Sequence, residues 1–228
     1  MMIADFLSLF YPRLCLACGQ NHVPAKEWLC LFCQFKLPKT NFHQMPENDL
    51  TERFWGRLPL VSGAALYFFV KGGRTQQLIH NLKYKGKKQI GLEIGKMYGH
   101  ILKTVPAYQS IDLIIPVPLH PKKKRRRGFN QSALFAKGLS EAMSIPWAEK
   151  YLERTAFTET QTKKTRQERM ENVLAQFKAC HQSELAGKHL LLVDDVITTG
   201  ATMEACGMKL LEIPDAKLSL AAIAIAEL

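Results

Sequence analysis

Two adjacent carboxylates, Asp194 and Asp195, stand at the end of an uninterrupted apolar run at 190–193. They are followed by Val196, Ile197, Thr198, Thr199, Gly200, Ala201 and Thr202. Each residue type has a chemical use. Paired carboxylates accept hydrogen bonds from the vicinal hydroxyls of a ribose, while a small-residue loop at a helix start offers backbone N–H groups and threonine hydroxyls to a phosphate. Glycine at 200 lets the backbone approach that phosphate closely. The combination describes a ribose 5-phosphate site. Apolar residues without alternation suit a strand covered on both faces, as in a parallel sheet, whose ligands sit beyond the carboxyl ends of the strands. The plainer alternative is a strand-to-helix turn whose acids and threonines cap a helix, although capping needs one such residue rather than five.

A second constellation lies near the start of the chain. Cys15 and Cys18, then Cys30 and Cys33, form two C-x2-C pairs separated by eleven residues. The spacing lets both sulfurs of each pair face one ion, and four thiolates complete a closed, tetrahedral, structural zinc site. In a reducing compartment such pairs read as metal ligands before disulfides; a redox dithiol or two unlinked pairs are the alternatives. Cys206 shares helical spacing with Met203 and Leu210 and reads as a core residue.

The third feature is charge. The chain carries 31 basic against 20 acidic residues, a formal net charge of +11. That balance favours polyanions (nucleic acid, polyphosphate or an anionic membrane face) without choosing among them. Much of it is concentrated. Lys122, Lys123, Lys124, Arg125, Arg126 and Arg127 follow directly on an apolar strand at 111–118 and its end, Val117, Pro118 and Leu119. A cation run is ordinarily a solvated face, but one placed just beyond a strand end favours polyphosphate or nucleic-acid contact. Lys83, Tyr84, Lys85, Phe129, Asn130 and Gln131 extend the candidate contacts. Tyr84 and Phe129 either stack a base or pack into the core.

The elements that must position these groups alternate from about residue 64. The pattern predicts strands at 64–70, 111–118, 146–152, 173–179, 190–193 and a closing one at 217–226. Helices are expected near 78–82, over Ile90, Ile94, Met97 and Ile101, at 130–143 and at 203–211. That order specifies an α/β fold with a parallel sheet flanked by helices. Residues 34–60, polar and interrupted by Pro38, Pro46 and Pro59, read as a linker, so the domains expected are 1–58 and 59–228. Residues 154–169 have no apolar period: a mobile segment able to close over a reactive centre, or a disordered connector. No run of eighteen apolar residues is present, so no transmembrane segment is expected. The stretch MMIADFLSLFYPRLC reads as a short amphipathic helix rather than a signal peptide, and the protein is expected in the cytoplasm.

The stretch from 190 to 202 resembles the phosphoribosyl-pyrophosphate (PRPP) signature of type I phosphoribosyltransferases. With the cysteine knuckle, L-K-Y-K-G at 82–86, P-V-P-L-H at 116–120, R-G-F-N-Q at 127–131 and the track Gln161, Thr162, Arg166, Arg169 and Asn172, the chain resembles the ComF family and its GntX relatives from Leu14 to Leu228. The resemblance implies a zinc module joined to a type I phosphoribosyltransferase-like domain, with PRPP bound together with Mg2+. The acid pair and its loop would hold ribose and 5-phosphate, and Val117, Pro118 and Leu119 the pyrophosphate. Pro116 and Pro118, lacking N–H groups, leave that loop fewer donors. The resemblance further implies natural transformation, with single-stranded DNA handled in the cytoplasm beside other DNA-uptake proteins, peripheral to the inner membrane. Turnover is left open. The alternative is an active phosphoribosyltransferase of nucleotide metabolism displacing pyrophosphate from C1 of PRPP with an unidentified nucleophile. Thr198 stands where 6-oxopurine salvage enzymes carry an acid, which disfavours purine salvage.

Overall fold

A computed structural model describes residues 13–24, 27–155 and 173–227. The apolar run belongs to strand β5 (His189–Ile197), where Leu190, Leu191, Leu192 and Val193 are fully buried. It pairs in parallel with β2 (Leu113–Pro116) on one side and β6 (Lys217–Ala226) on the other. Beyond β6 lies β1 (Leu60–Phe69), so the four-stranded parallel sheet has the order β1-β6-β5-β2. The strand expected to close the sheet is therefore an inner one. Its small side chains, Ala221, Ala222 and Ala224, are buried along with Leu220 and Ile223, as covering on both faces requires. The predicted strand at 111–118 is reduced to four residues, because Pro116 and Pro118 cannot donate to a ladder. The segments expected at 146–152 and 173–179 give one parallel bridge, Ile114 with Trp147, and a short antiparallel pair, β3 (Leu152–Arg154) with β4 (Phe177–Ala179).

Among the described residues the α-helices are α1 (Leu31–Lys36), α2 (Asp49–Arg53), α3 (Arg74–Tyr84), α4 (Gln89–Leu102), α5 (Pro106–Gln109), α6 (Pro121–Arg127), α7 (Gln131–Met143) and α8 (Ala201–Leu211). Part of the segment read as a linker packs against the sheet. Lys39 bridges Tyr67 and the Phe68 amide donates to the Pro38 carbonyl at 2.8 Å, which covers the exposed edge of β1. Phe42, Leu50, Phe54 and Leu58 are buried, and Asn48 forms a capping box with Thr51 at the start of α2. Prolines and polar residues mark turns here, but apolar residues between them are spaced too irregularly to show a period.

The face of α4 also differs from expectation. Gly91, Gly95 and Gly99 join Ile90, Ile94, Tyr98 and Leu102 on the buried side, while Met97 and Ile101 sit at its margin. The glycines let α4 lie backbone to backbone on α7: a Cβ on Gly95 would come within 2.4 Å of the Phe135 carbonyl oxygen, and one on Gly138 within 2.2 Å of that of Leu92. Both obstacles are main chain, so relief requires moving a helix. Gly95→Ala is accordingly expected to destabilise the fold by about 1–3 kcal/mol, the range for overpacking, in chemical denaturation. An unchanged midpoint would show that the helices are not in this close contact.

Candidate ribose-phosphate site and cysteine knuckle

The acids sit at the carboxyl end of β5, opposite Ala222 of β6 for Asp194. Asp195 is 7% exposed and Asp194 half-buried. Lys83, on the last turn of α3, places its ammonium 2.8 Å from Asp195 Oδ1. The Asp194 Oδ1 atom accepts from the Ser132 hydroxyl and from the Asp195 amide, both at 2.7 Å. Burial, and then the neighbouring Asp195 charge, push the Asp194 carboxyl up to about 7 against the opposing pull of Ser132, Lys83 and that amide. Arg154 of β3 lines the same cleft, donates to Gln176 at 2.8 Å and lies 5.1 Å over the Phe177 ring. Burial lowers its guanidinium below the usual arginine range.

The loop after β5 turns on Gly200, whose φ of +84° L residues rarely adopt and where a Cβ would stand 2.9 Å from the Phe54 ring. Thr198 and Thr202 line the cleft, which encloses about 490 Å³. Val117, Pro118 and Leu119 line it as well. The Val117 amide is spent on the Val193 carbonyl at 2.9 Å and Pro118 has none, so Leu119 keeps the one amide of the three outside the sheet pairing.

The cation run is an ordered helix. His120 caps it by accepting from the Lys122 amide at 3.2 Å, Pro121 occupies its first turn, and Gly128 closes it in the left-handed conformation. Lys123 and Arg127, four residues apart on one face, line the cleft together with Lys83, Tyr84, Asn130, Gln131 and Val196. Arg127 donates to Gln131 Oε1 at 2.8 Å and stacks 5.1 Å from the Tyr84 ring centre. Lys122, Arg125 and Arg126 face solvent, Lys124 pairs with Glu149 at 3.3 Å, Lys85 is exposed, and Phe129 lies beneath Lys88 at 5.2 Å. Asn130 caps α7 and ties it to the Val117 carbonyl at 3.0 Å. Gln161, Thr162, Arg166, Arg169 and Asn172 fall outside the described residues, as does the expected N-terminal helix before Arg13. Sequence reasoning missed Ser132, Arg154, Arg53 and Arg57. Ser132 carried a signal, since it follows R-G-F-N-Q in the first turn of α7, whereas Arg154 reaches the cleft only through β3–β4 pairing.

The four cysteine sulfurs lie within 4.8 Å of one another, an arrangement that can hold one metal ion. Cys15, Cys30 and Cys33 are buried. Burial opposes the Cys30 thiolate, but the Asn21 amide, 3.2 Å from its sulfur, and the neighbouring Cys33 and Cys15 groups outweigh it and bring that thiol down to about 6. The knuckle rests on α3: Asn81 donates to the Leu16 carbonyl at 2.8 Å and Arg74 lies 4.6 Å over the Phe32 ring.

The fold and site define a phosphoribosyltransferase-like α/β protein carrying a four-cysteine knuckle. The phosphoribosyl transferase domain family matches residues 130–226, from the cap of α7 to the end of β6. Over 212 residues the chain is 32% identical to the DNA utilization protein YhgH of Shigella flexneri, covering 90% of this chain and 87% of that protein. It is 25% identical over 210 residues to Competence protein F of Haemophilus influenzae, covering 85% and 89% of the two chains. A solved adenine phosphoribosyltransferase superposes with a TM-score of 0.39 at 17% identity, over 65% of this chain and 75% of the other. The chain belongs to the ComF family.

The raised Asp194 carboxyl has a consequence for stability. In the unfolded chain an aspartate titrates at about 3.9, and in the fold this one titrates at about 7. Between those values the folded state holds the extra proton, so stability contributed by this group falls as pH rises through the window. Asp194→Asn keeps an acceptor for Ser132 while removing the charge. Its melting temperature is expected to exceed that of the unmodified protein at pH 8, with the gap closing towards pH 4. A gap independent of pH would place the titration elsewhere.

Proposed function

We propose that the cleft binds PRPP with Mg2+ and that the protein serves DNA uptake in natural transformation, acting on incoming single-stranded DNA in the cytoplasm. One observation carries the ligand: the acid pair, Thr198 and Thr202 line a single cleft whose walls add Lys83, Lys123, Arg127 and Arg154. Asp194 and Asp195 would take the ribose hydroxyls, the amides and hydroxyls of 198–202 the 5-phosphate, and Leu119 with Lys123 and Arg127 the pyrophosphate. Asp194 and Asp195 would offer Mg2+ carboxylate oxygens, its usual protein ligands, with Lys83 giving way at Asp195. When bound, that ion supplies charge neutralisation for the pyrophosphate. The cysteine knuckle would hold structural Zn2+, all four positions being protein sulfurs. We take residues 1–58 as the zinc module with its connecting segment and 59–228 as the phosphoribosyltransferase-like domain.

The role in uptake is supported by the names of the relatives, DNA utilization protein and Competence protein F, and by the charge of +11. Tyr84, 60% exposed beside Arg127, offers a stacking face next to the cleft. Among the described residues no helix is long and apolar enough to cross a membrane, and association with other uptake proteins at the inner membrane is proposed as peripheral.

Calorimetric titration of PRPP with Mg2+ tests the ligand. Heat is expected from the unmodified protein and none from the double variant Asp194→Asn/Asp195→Asn; no heat from either would remove PRPP from the account. A second reading, an active phosphoribosyltransferase with an unidentified acceptor, is favoured by the Asp194 carboxyl near 7, which suits proton transfer at neutral pH. It requires pyrophosphate release that depends on an added nucleophile. For DNA, each cation neutralising a phosphate contributes about −0.9 to the slope of log affinity against log salt for a duplex and about −0.7 for a single strand. Arg125→Ala/Arg126→Ala is expected to flatten the single-strand slope by about 1.4, and an unchanged slope would take α6 out of the DNA surface.

A further inference from the structure

We infer that Arg53 is a positioning residue for the phosphate loop, so that a segment distant in sequence from the matched domain sets the geometry of the 5-phosphate site. The inference rests on the phosphate role proposed for residues 198–202. Arg53 ends α2 and is only 9% exposed. A buried guanidinium is costly unless its donors are used. Here both terminal nitrogens reach main-chain carbonyls, Nη1 donating to Thr198 and Nη2 to Ala226 at 2.7 Å, while the buried Nε has no hydrogen-bond partner. The first lies in the loop after β5 and the second at the end of β6, so one side chain bridges the ends of two neighbouring strands. A trans peptide plane sets its carbonyl and the following amide in opposite directions. Holding the Thr198 carbonyl towards α2 therefore turns the Thr199 N–H away from it.

Two further contacts come from the same turn of chain. The Phe54 ring lies under Gly200, so close that a Cβ there would meet it at 2.9 Å. Arg57 donates to the Arg53 carbonyl and pairs with the buried Glu204 of α8 at 2.6 Å. Thr198, Gly200 and Glu204 are thus held from behind by residues 53–57. The brace is itself anchored. Asn48 donates to the Gly63 carbonyl of β1 at 3.0 Å, and Leu50 packs where a Cβ on Gly63 would come within 2.5 Å of it. None of the cleft-lining chemistry explains why a charged side chain is buried here; positioning of the loop does.

The test separates this role from the ligand assignment. The unmodified protein, Arg53→Lys and Arg53→Met are titrated with ribose 5-phosphate and, separately, with pyrophosphate and Mg2+, and amide exchange is followed across 198–202. Arg53→Met is expected to lose about tenfold in ribose 5-phosphate affinity, the scale of one charge-assisted hydrogen bond. Arg53→Lys should recover part of that loss, pyrophosphate affinity should be unchanged, and exchange should quicken in the loop but not in β5 or β6. Equal ribose 5-phosphate affinity in all three proteins overturns the inference while leaving the site intact. If even the unmodified protein binds neither ligand, the proposed function fails, and unaltered loop exchange in Arg53→Met then overturns the brace as well. Should Arg53→Met fail to fold, Glu204→Gln, which loosens the outer contact, is expected to move the same two measurements in the same direction, and no movement counts against the brace.

Discussion

Two carboxylates on successive residues at the end of a buried strand repel each other and resist burial, and much of the surrounding structure compensates them. Lys83 neutralises Asp195 at 2.8 Å, and Ser132 and the Asp195 amide share one oxygen of Asp194. The compensation is partial, since burial still leaves Asp194 holding its proton to about pH 7. A site so poised is stabilised by any ligand that brings hydroxyls or positive charge to the pair, because that ligand supplies what the fold lacks.

Each compensating group commits an element. Lys83 reaches the acids because α3 ends at the cleft, and α3 is held by the cysteine knuckle through Asn81 and Arg74. The knuckle and the acid pair therefore meet on one helix, with Asn81 and Lys83 only two residues apart. Ser132 reaches them from the start of α7, where Asn130 caps the helix and grips the Val117 carbonyl. The course of α7 is set in turn by backbone contact with α4 through Gly95 and Gly138.

What was legible in the sequence was whatever is local. Strand β5, its acids and the loop that begins α8 lie within thirteen consecutive residues, and the two C-x2-C pairs lie within nineteen. In both, short-range spacing already decides which atoms can meet. The inner position of β6 was not legible, because strand order depends on pairing between residues 60–69 and 217–226. Nor was the packing of 38–58, where Phe42, Leu50, Phe54 and Leu58 follow no period because short turns, not one long element, carry them to the core. Arg154 and Arg53 were invisible for a related reason. A lone arginine has no local signature, and each acts on groups brought near only by the completed sheet.

The cation run shows how one element can serve two surfaces. As a disordered face it would present six equivalent charges. As α6, capped at both ends, it sorts them by helical angle: Lys123 and Arg127 turn into the cleft, while Lys122, Arg125 and Arg126 remain in solvent. The sorting needs no further instruction than the 3.6-residue period. A polyanion lying along the outer side would thus be held by the same seven-residue helix whose inner side faces the candidate pyrophosphate wall.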